Sequence, residues 1–315
     1  MNEINLRRPV FTNMADGSEG CLHLHEVVGG QGDGPTIGIS AVIHGNEPTG
    51  AQIILELSRL LADLPLRGRL LILPVANPWA FAVNHRFTPI DELNLNRVFP
   101  GEPGGWFSDL LAQAISREFL EKIDVHIDLH SGTDRPTVDY VYLLNDEGLS
   151  RSFGSTVLYR PKEGLTGTTY SGTTKSVTVD KRGIPASVIE LGGGIVDQAP
   201  YVKRGVDGVL NMLRYLGAIV EDPAPPPSQT VVHSITLVRP GQGGFLETEA
   251  PPLGEEIAGG AVLGRVFSPY TFDQLEEIIN PVEQGIMILS HLSRNLVQPG
   301  DYGYMIGDLA GAELS

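Results

Sequence analysis

Two histidines and a glutamate stand where two predicted strands end. His44 closes an apolar run over residues 36–43, and Glu47 follows three residues later, just before Pro48. His130 closes a second run, VHIDLH at 125–130. Two imidazoles and one carboxylate, with a fourth position left open, form a recurrent ligand set for catalytic zinc. The competing reading of His130 is a hydrogen-bonded imidazole at a strand end. The motif is weak by itself: about half a match to His-x-x-Glu is expected by chance in such a chain. A second copy does occur, His23 to Glu26. There, strand alternation puts His23 and His25 on one face and Leu22 and Leu24 on the other, which reads as a solvent-facing strand.

Other residues could complete the chemistry. Glu190 lies near the end of the apolar run SVIEL, where an acid is costly without a purpose. A carboxylate beside a zinc-bound water can act as general base and later protonate a leaving amine; the alternative is a structural pair with an arginine. The loop-like segment 84–101 carries Arg86 and Arg97 in an otherwise acidic chain, with Asn96 beside the second. Arginine grips carboxylates through a planar fork, although arginines on a loop are more often merely solvated. His126 reads as packing, since another nitrogen ligand would close a metal site to water. Asp128 reads either as a group that orients a ligand imidazole or as a buried acid satisfied by backbone.

The elements that must position these groups alternate. Strands are expected over 36–43, 68–77, 125–130 and 186–191, and helices over 48–64, 108–123 and within 196–219. Pro48 suits the first position of its helix, and Ser108 reads as a helix cap. Strands alternating with helices predict an α/β fold with a mostly parallel mixed sheet flanked by helices. Ligand sites in such sheets lie at the carboxyl ends of the strands, where His44, Glu47 and His130 fall. Four prolines in EDPAPPPSQT, residues 221–230, mark a linker. Beyond it, short β segments separated by Gly and Pro predict a small all-β module. The expected division is a catalytic domain over 1–222 and a β domain over 223–315.

Composition narrows the function further. A net charge of −16 with only 22 basic residues among 315 argues against nucleic-acid binding. An anionic substrate would need local arginines to overcome that field. One cysteine, Cys21, excludes both an intrachain disulfide and a thiolate zinc cluster, and reads as packing. The N-terminal residues contain no apolar signal core and no stretch is long enough to span a bilayer. A cytoplasmic location without membrane contact is expected.

Taken in order, HGNE (44–47), NLNRVFPG (94–101), DLHSG (128–132) and IELGGG (189–194) resemble the succinylglutamate desuccinylase/aspartoacylase family of the zinc carboxypeptidase superfamily. The similarity covers roughly residues 34–217. It implies one zinc ion held by His44, Glu47 and His130, with Glu190 as general base. Asn96 and Arg97 would grip the substrate's α-carboxylate, and Arg86 would polarise the scissile carbonyl. The implied reaction is hydrolysis of the amide of an N-acyl amino acid or a related small amide. Homo-oligomers are common among such relatives. Two readings compete: a metallocarboxypeptidase acting on peptides through the same site, and a non-catalytic small-molecule-binding module. One departure is visible, Asn94 where the family usually has Asp, which is expected to remove a support for Arg97. The C-terminal module is similar to a lipoyl-type barrel-sandwich. Because no lysine follows Lys203, it cannot carry that cofactor and reads as a structural or site-shaping lid.

Overall fold

The structure, a computed structural model, describes residues 2–161, 170–291 and 294–314. Its centre is a mixed sheet. The strands used below are β1 (Glu3–Arg7), β2 (Leu24–Val28), β3 (Thr36–Ala41), β4 (Arg69–Leu73), β5 (Val125–His130), β6 (Thr137–Tyr142), β7 (Ala186–Gly192), β8 (Ile235–Val238), β9 (Gln284–Ser290) and β10 (Tyr304–Asp308). They run side by side in the order β1-β2-β4-β3-β5-β7-β6-β9-β10-β8. The four middle strands β4, β3, β5 and β7 are parallel. The outer ones pair antiparallel.

Both faces of the parallel core are covered, which is why its strands read as near-continuous apolar runs. On one side α1 (Thr49–Ser58) and the long helix Ala199–Tyr215 pack over Ile37, Ile39, Ile127 and Ile189. On the other, a helix at Phe107–Ile115 covers Leu71, Leu73 and Ile123. α1 buries Ile53, Ile54 and Leu57, the stripe expected of a one-sided helix. It stops at Ser58, short of the expected residue 64. The Ser58 hydroxyl donates to the Leu55 carbonyl at 2.7 Å, and the chain continues in turns. Pro48 takes the cap position of α1 rather than its first helical one.

The helix expected over 108–123 starts at Phe107, loosens into a wider turn over Ser116–Leu120, and is not capped by Ser108. Instead Asp91, from the preceding loop, accepts from the Ser108 backbone N–H at 2.7 Å and from its hydroxyl at 2.8 Å. The loop that carries Arg86, Asn96 and Arg97 is thereby tied to a helix start.

Residues 221–228 are exposed and form neither helix nor strand, as the prolines predict. Beyond them the β segments form a four-stranded antiparallel sheet, Gln274–Ile279, Val262–Phe267, Gly244–Thr248 and Asn295–Val297, over an apolar core shared with Met287, Tyr304 and Ile306 of β9 and β10. Three other strands, β9, β10 and β8, extend the central sheet from the edge of β6. Val138 and Tyr140 of β6 share an apolar cluster with Ile286, Ile288 and Leu289 of β9. No helix among the described residues is long and apolar enough to cross a membrane. Cys21 is buried, as packing requires.

Candidate active site

The site sits where β3, β5 and β7 end. Immediately after β3, Val42 adopts φ 56°, a left-handed conformation that costs a β-branched residue about 1–3 kcal/mol. Backbone bonds from Ala76 to the Ala41 carbonyl and from Asn77 to the Val42 carbonyl hold the turn. Position 45 must be glycine: a Cβ there would lie 2.0 Å from the Ala80 carbonyl carbon. This cramped turn brings His44 and Glu47 back over the sheet beside His130, the last residue of β5.

His44, Glu47 and His130 are all buried, and one potential ligand atom from each lies within 4.8 Å of the others. The Nδ1 atoms of the two imidazoles face the same carboxylate, His44 at 2.8 Å from Oε1 and His130 at 2.9 Å from Oε2. Both Nε2 atoms point outward to fixed acceptors. Asn94 Oδ1 accepts from the Asn96 backbone N–H at 2.9 Å, which sets the orientation of its amide. The same oxygen lies 3.1 Å from His44 Nε2, so that nitrogen must donate and Nδ1 must carry the lone pair. His44 Nδ1 is buried with no hydrogen-bond partner, although Glu47 Oε1 is close. A bare nitrogen lone pair against a carboxylate oxygen is repulsive unless a cation is shared between them. Bonds of about 2.0–2.2 Å to a tetrahedral ion would space such ligand atoms by about 3.4 Å. The donor set therefore fits a divalent metal.

His130 is held by Asp128, whose Oδ2 lies 3.4 Å from Nε2. Asp128 is fully buried and also accepts from Ser40 at 2.6 Å and Thr174 at 2.7 Å. Of its two sequence readings, the one as an orienting group describes this contact. His126 is buried under Phe119 and bonds to Ser40 at 2.8 Å, so it packs and does not join the cluster.

Charges follow from this geometry. Burial pushes the His44 pKa down, which keeps its imidazole neutral. Burial also opposes charge on His130, but the Asp128 and Glu47 carboxylates outweigh it and raise its pKa well above the usual range. Burial would raise Glu47 and Asp128, yet the His44 and His130 imidazoles hold Glu47, and the His130 and His126 imidazoles with the Ser40 hydroxyl hold Asp128, below the usual carboxylate range. Glu190 is different. It stands on β7 in register with His130 on one side and Tyr140 on the other, and no ion pair to it occurs among the described residues. Burial pushes its pKa up to about 8. A carboxyl tuned towards neutrality beside a candidate metal centre is suited to proton transfer.

Around the cluster opens a cavity of about 310 Å³ that also takes in Arg86, Asn96, Arg97, Tyr140 and Tyr142. Arg86 reaches the site but spends Nη1 on Glu47 Oε1 at 2.8 Å. Asn96 is buried, and its side-chain oxygen accepts from the Thr174 backbone at 3.1 Å. Arg97 donates from Nη1 to the Asn96 carbonyl at 2.6 Å and has no carboxylate partner among the described residues. The Asn94 side-chain oxygen is taken by His44 and by the turn it caps, and Asn94 meets Arg97 through the backbone, its carbonyl accepting from the Arg97 N–H at 2.9 Å. The expected residues thus converge. Ser40, Thr174 and the tyrosine pair, whose hydroxyls meet at 3.2 Å, carry no motif and emerge only from strand register and folding.

A mixed sheet, parallel only at its centre and antiparallel at both flanks, that gathers two imidazoles and a carboxylate at the carboxyl ends of its parallel strands defines a class of α/β protein with a candidate metal centre. Within that class the chain belongs to the succinylglutamate desuccinylase/aspartoacylase family: residues 33–216 match its catalytic domain. The chain is 28% identical over 268 residues to the N-alpha-acetyl-L-2,4-diaminobutyric acid deacetylase of Halomonas elongata, covering 80% of this chain and 75% of that one. It is similar in fold to the product-bound ectoine utilization protein EutE (DoeB) of Ruegeria pomeroyi, with TM-score 0.81, 23% identity and coverage of 98% and 95%. A succinylglutamate desuccinylase/aspartoacylase of Rhodobacter sphaeroides gives TM-score 0.78, 24% identity and coverage of 98% and 96%.

Proposed function

We propose that this protein is a zinc-dependent amidohydrolase that cleaves the amide of an N-acyl amino acid or a related small amide. His44 Nδ1, Glu47 and His130 Nδ1 would hold the ion. A zinc there lowers the pKa of a bound water and polarises a carbonyl. Glu190, one strand from His130, takes the proton released as water attacks and passes it to the departing amine nitrogen. Arg86 stands at the cavity wall beside Glu47, where its guanidinium can face the developing oxyanion. Arg97, with Asn96 behind it, offers its free nitrogens to the α-carboxylate. Asn94 and Asp128 fix the two imidazoles so that their lone pairs stay aimed inward.

One observation carries this reading: two Nδ1 atoms converge on Glu47 while an acid of raised pKa stands on the adjacent strand. The deacetylase relative and the family membership support amide hydrolysis. The same reading takes residues 1–222 as the catalytic unit and 223–315 as the part that shapes the cavity's far wall. It expects a cytoplasmic protein that acts on small-molecule substrates, has no nucleic-acid or membrane partners and can form a homo-oligomer. The test compares metal content and hydrolysis of acetyl- and succinyl-amino acids and of dipeptides in wild type and Glu190→Gln. The variant should keep one zinc per chain and lose about 10³-fold in kcat. A fully active variant removes Glu190 as base, and preference for dipeptides favours the carboxypeptidase reading.

A further inference from the structure

The cavity's far wall is a ladder of side chains running across four strands. Val138 on β6 is in register with Leu289 on β9, Leu289 with Met305 on β10, and Met305 with Leu237 on β8. All four line the cavity. At about 4.8 Å per strand, three spacings span about 14 Å. The ladder begins close to the chemistry, because Val138 lies two residues along β6 from Tyr140, the register partner of Glu190. Leu237 remains 36% exposed, and Tyr302, which also lines the cavity, 38% exposed, whereas Val138 and Leu289 are 3% and 4% exposed, so the ladder is open at its Leu237 end and nearly closed at its Val138 end.

The charges in the cavity can be counted among the described residues. Three long cationic side chains line it: Arg86, Arg97 and Lys175. Arg86 pairs with Glu47, and Lys175 donates to both oxygens of Asp180 at 2.6 and 2.8 Å. Only Arg97 is left without a carboxylate. The acids that line the cavity are Glu47, Asp128 and Glu190, all at the candidate metal centre and none on the ladder. Among the described residues the cavity therefore offers one site for an anion and, beyond it, apolar surface. A second carboxylate, or an ammonium, lying on the ladder would lose its hydration with no partner.

We infer that the substrate is a monocarboxylate N-acyl amino acid bearing an apolar group, aliphatic or aromatic, that lies along Val138, Leu289, Met305 and Leu237. This inference rests on the amidohydrolase reading and narrows it. It departs from the substrate charge carried in the names of the relatives, a diaminobutyric acid with a second amine and a succinylglutamate with several carboxylates. The apolar group can be the amino-acid side chain or an elongated acyl chain, which share the same chemistry.

The experiment gives the zinc-loaded full chain four compounds: N-acetylphenylalanine, N-hexanoylglycine, N-acetylaspartate and Nα-acetyl-2,4-diaminobutyrate. At least one of the first two should exceed both of the last two in kcat/KM by about 100-fold. N-acetylphenylalanine ahead assigns the ladder to the side chain, and N-hexanoylglycine ahead assigns it to the acyl group. Met305→Asp should cut the apolar-to-charged ratio of kcat/KM at least about 10-fold, a change that loss of stability alone does not produce. Hydrolysis of N-acetylaspartate or the diaminobutyrate as fast as the apolar compounds overturns the inference and leaves the amidohydrolase reading intact. If none of the four turns over, that reading fails, and calorimetric binding to zinc-loaded Glu190→Gln decides the pocket separately. Tighter binding of an apolar compound upholds the ladder, and equal or reversed order overturns it.

Discussion

Asn94 and His44 are joined by one oxygen whose direction is already settled. Asn94 Oδ1 accepts from the Asn96 backbone N–H, so the 3.1 Å contact to His44 Nε2 makes that nitrogen the donor and turns the Nδ1 lone pair towards Glu47. Outer partners of ligand imidazoles typically change metal affinity by about 10–100-fold. Asn94→Leu should weaken zinc binding by about that factor, measured by competition with a chromophoric chelator. Affinity equal to wild type would show that the contact does not orient the ring.

Asp128 is expected to matter for stability as well as for metal. It is fully buried and accepts from Ser40, Thr174 and His130. Asp128→Ala strands these donors and should cost about 3 kcal/mol in urea unfolding. Zinc affinity should fall with it. An unchanged midpoint would mean that the network contributes little.

The turn at 42–47 predicts a second structural sensitivity. Gly45→Ala drives a Cβ to 2.0 Å from the Ala80 carbonyl carbon, against backbone that cannot swing away. The substitution should cost at least about 2 kcal/mol and displace His44 and Glu47, so that metal binding falls as well. Thermal denaturation and zinc titration of the same variant check both effects.

Glu190 gives a pH prediction for the protein stripped of zinc by chelation. Its pKa is raised by burial from 4.5 to about 8 in the folded chain. Between those values the folded state binds the proton that the unfolded state has released. The stabilising contribution is complete below about pH 4.5 and is lost as pH rises through about 8. The Tm of the chelated wild type should therefore fall relative to Glu190→Gln by roughly 5 °C between pH 5 and pH 9. Parallel Tm curves for the two proteins would remove the raised pKa.

Much of this arrangement is legible in the sequence, and the reasons are specific. The parallel strands are buried on both faces, so their apolar runs stand out, and His44 and His130 are conspicuous because each ends such a run. Glu190 is conspicuous as an acid inside one. Helix ends were less legible, because tertiary partners set them: Asp91 rather than Ser108 holds the Phe107 helix. The role of Asn94 depends on a turn that aims its oxygen at His44, which spacing along the chain does not reveal. The ladder from Val138 to Leu237 is hidden for the same reason. It is assembled by register between strands distant along the chain, Val138 against Leu289 and Leu237 against Met305, each of which reads alone as an ordinary β segment.

The central claim is that His44, Glu47 and His130 share one ion. Anomalous diffraction at the zinc absorption edge from crystals of the zinc-loaded protein tests it directly. The account predicts one strong peak per chain, about 2.0–2.2 Å from His44 Nδ1, a Glu47 oxygen and His130 Nδ1. A peak bound elsewhere, or none at these three residues at saturating zinc, would contradict it.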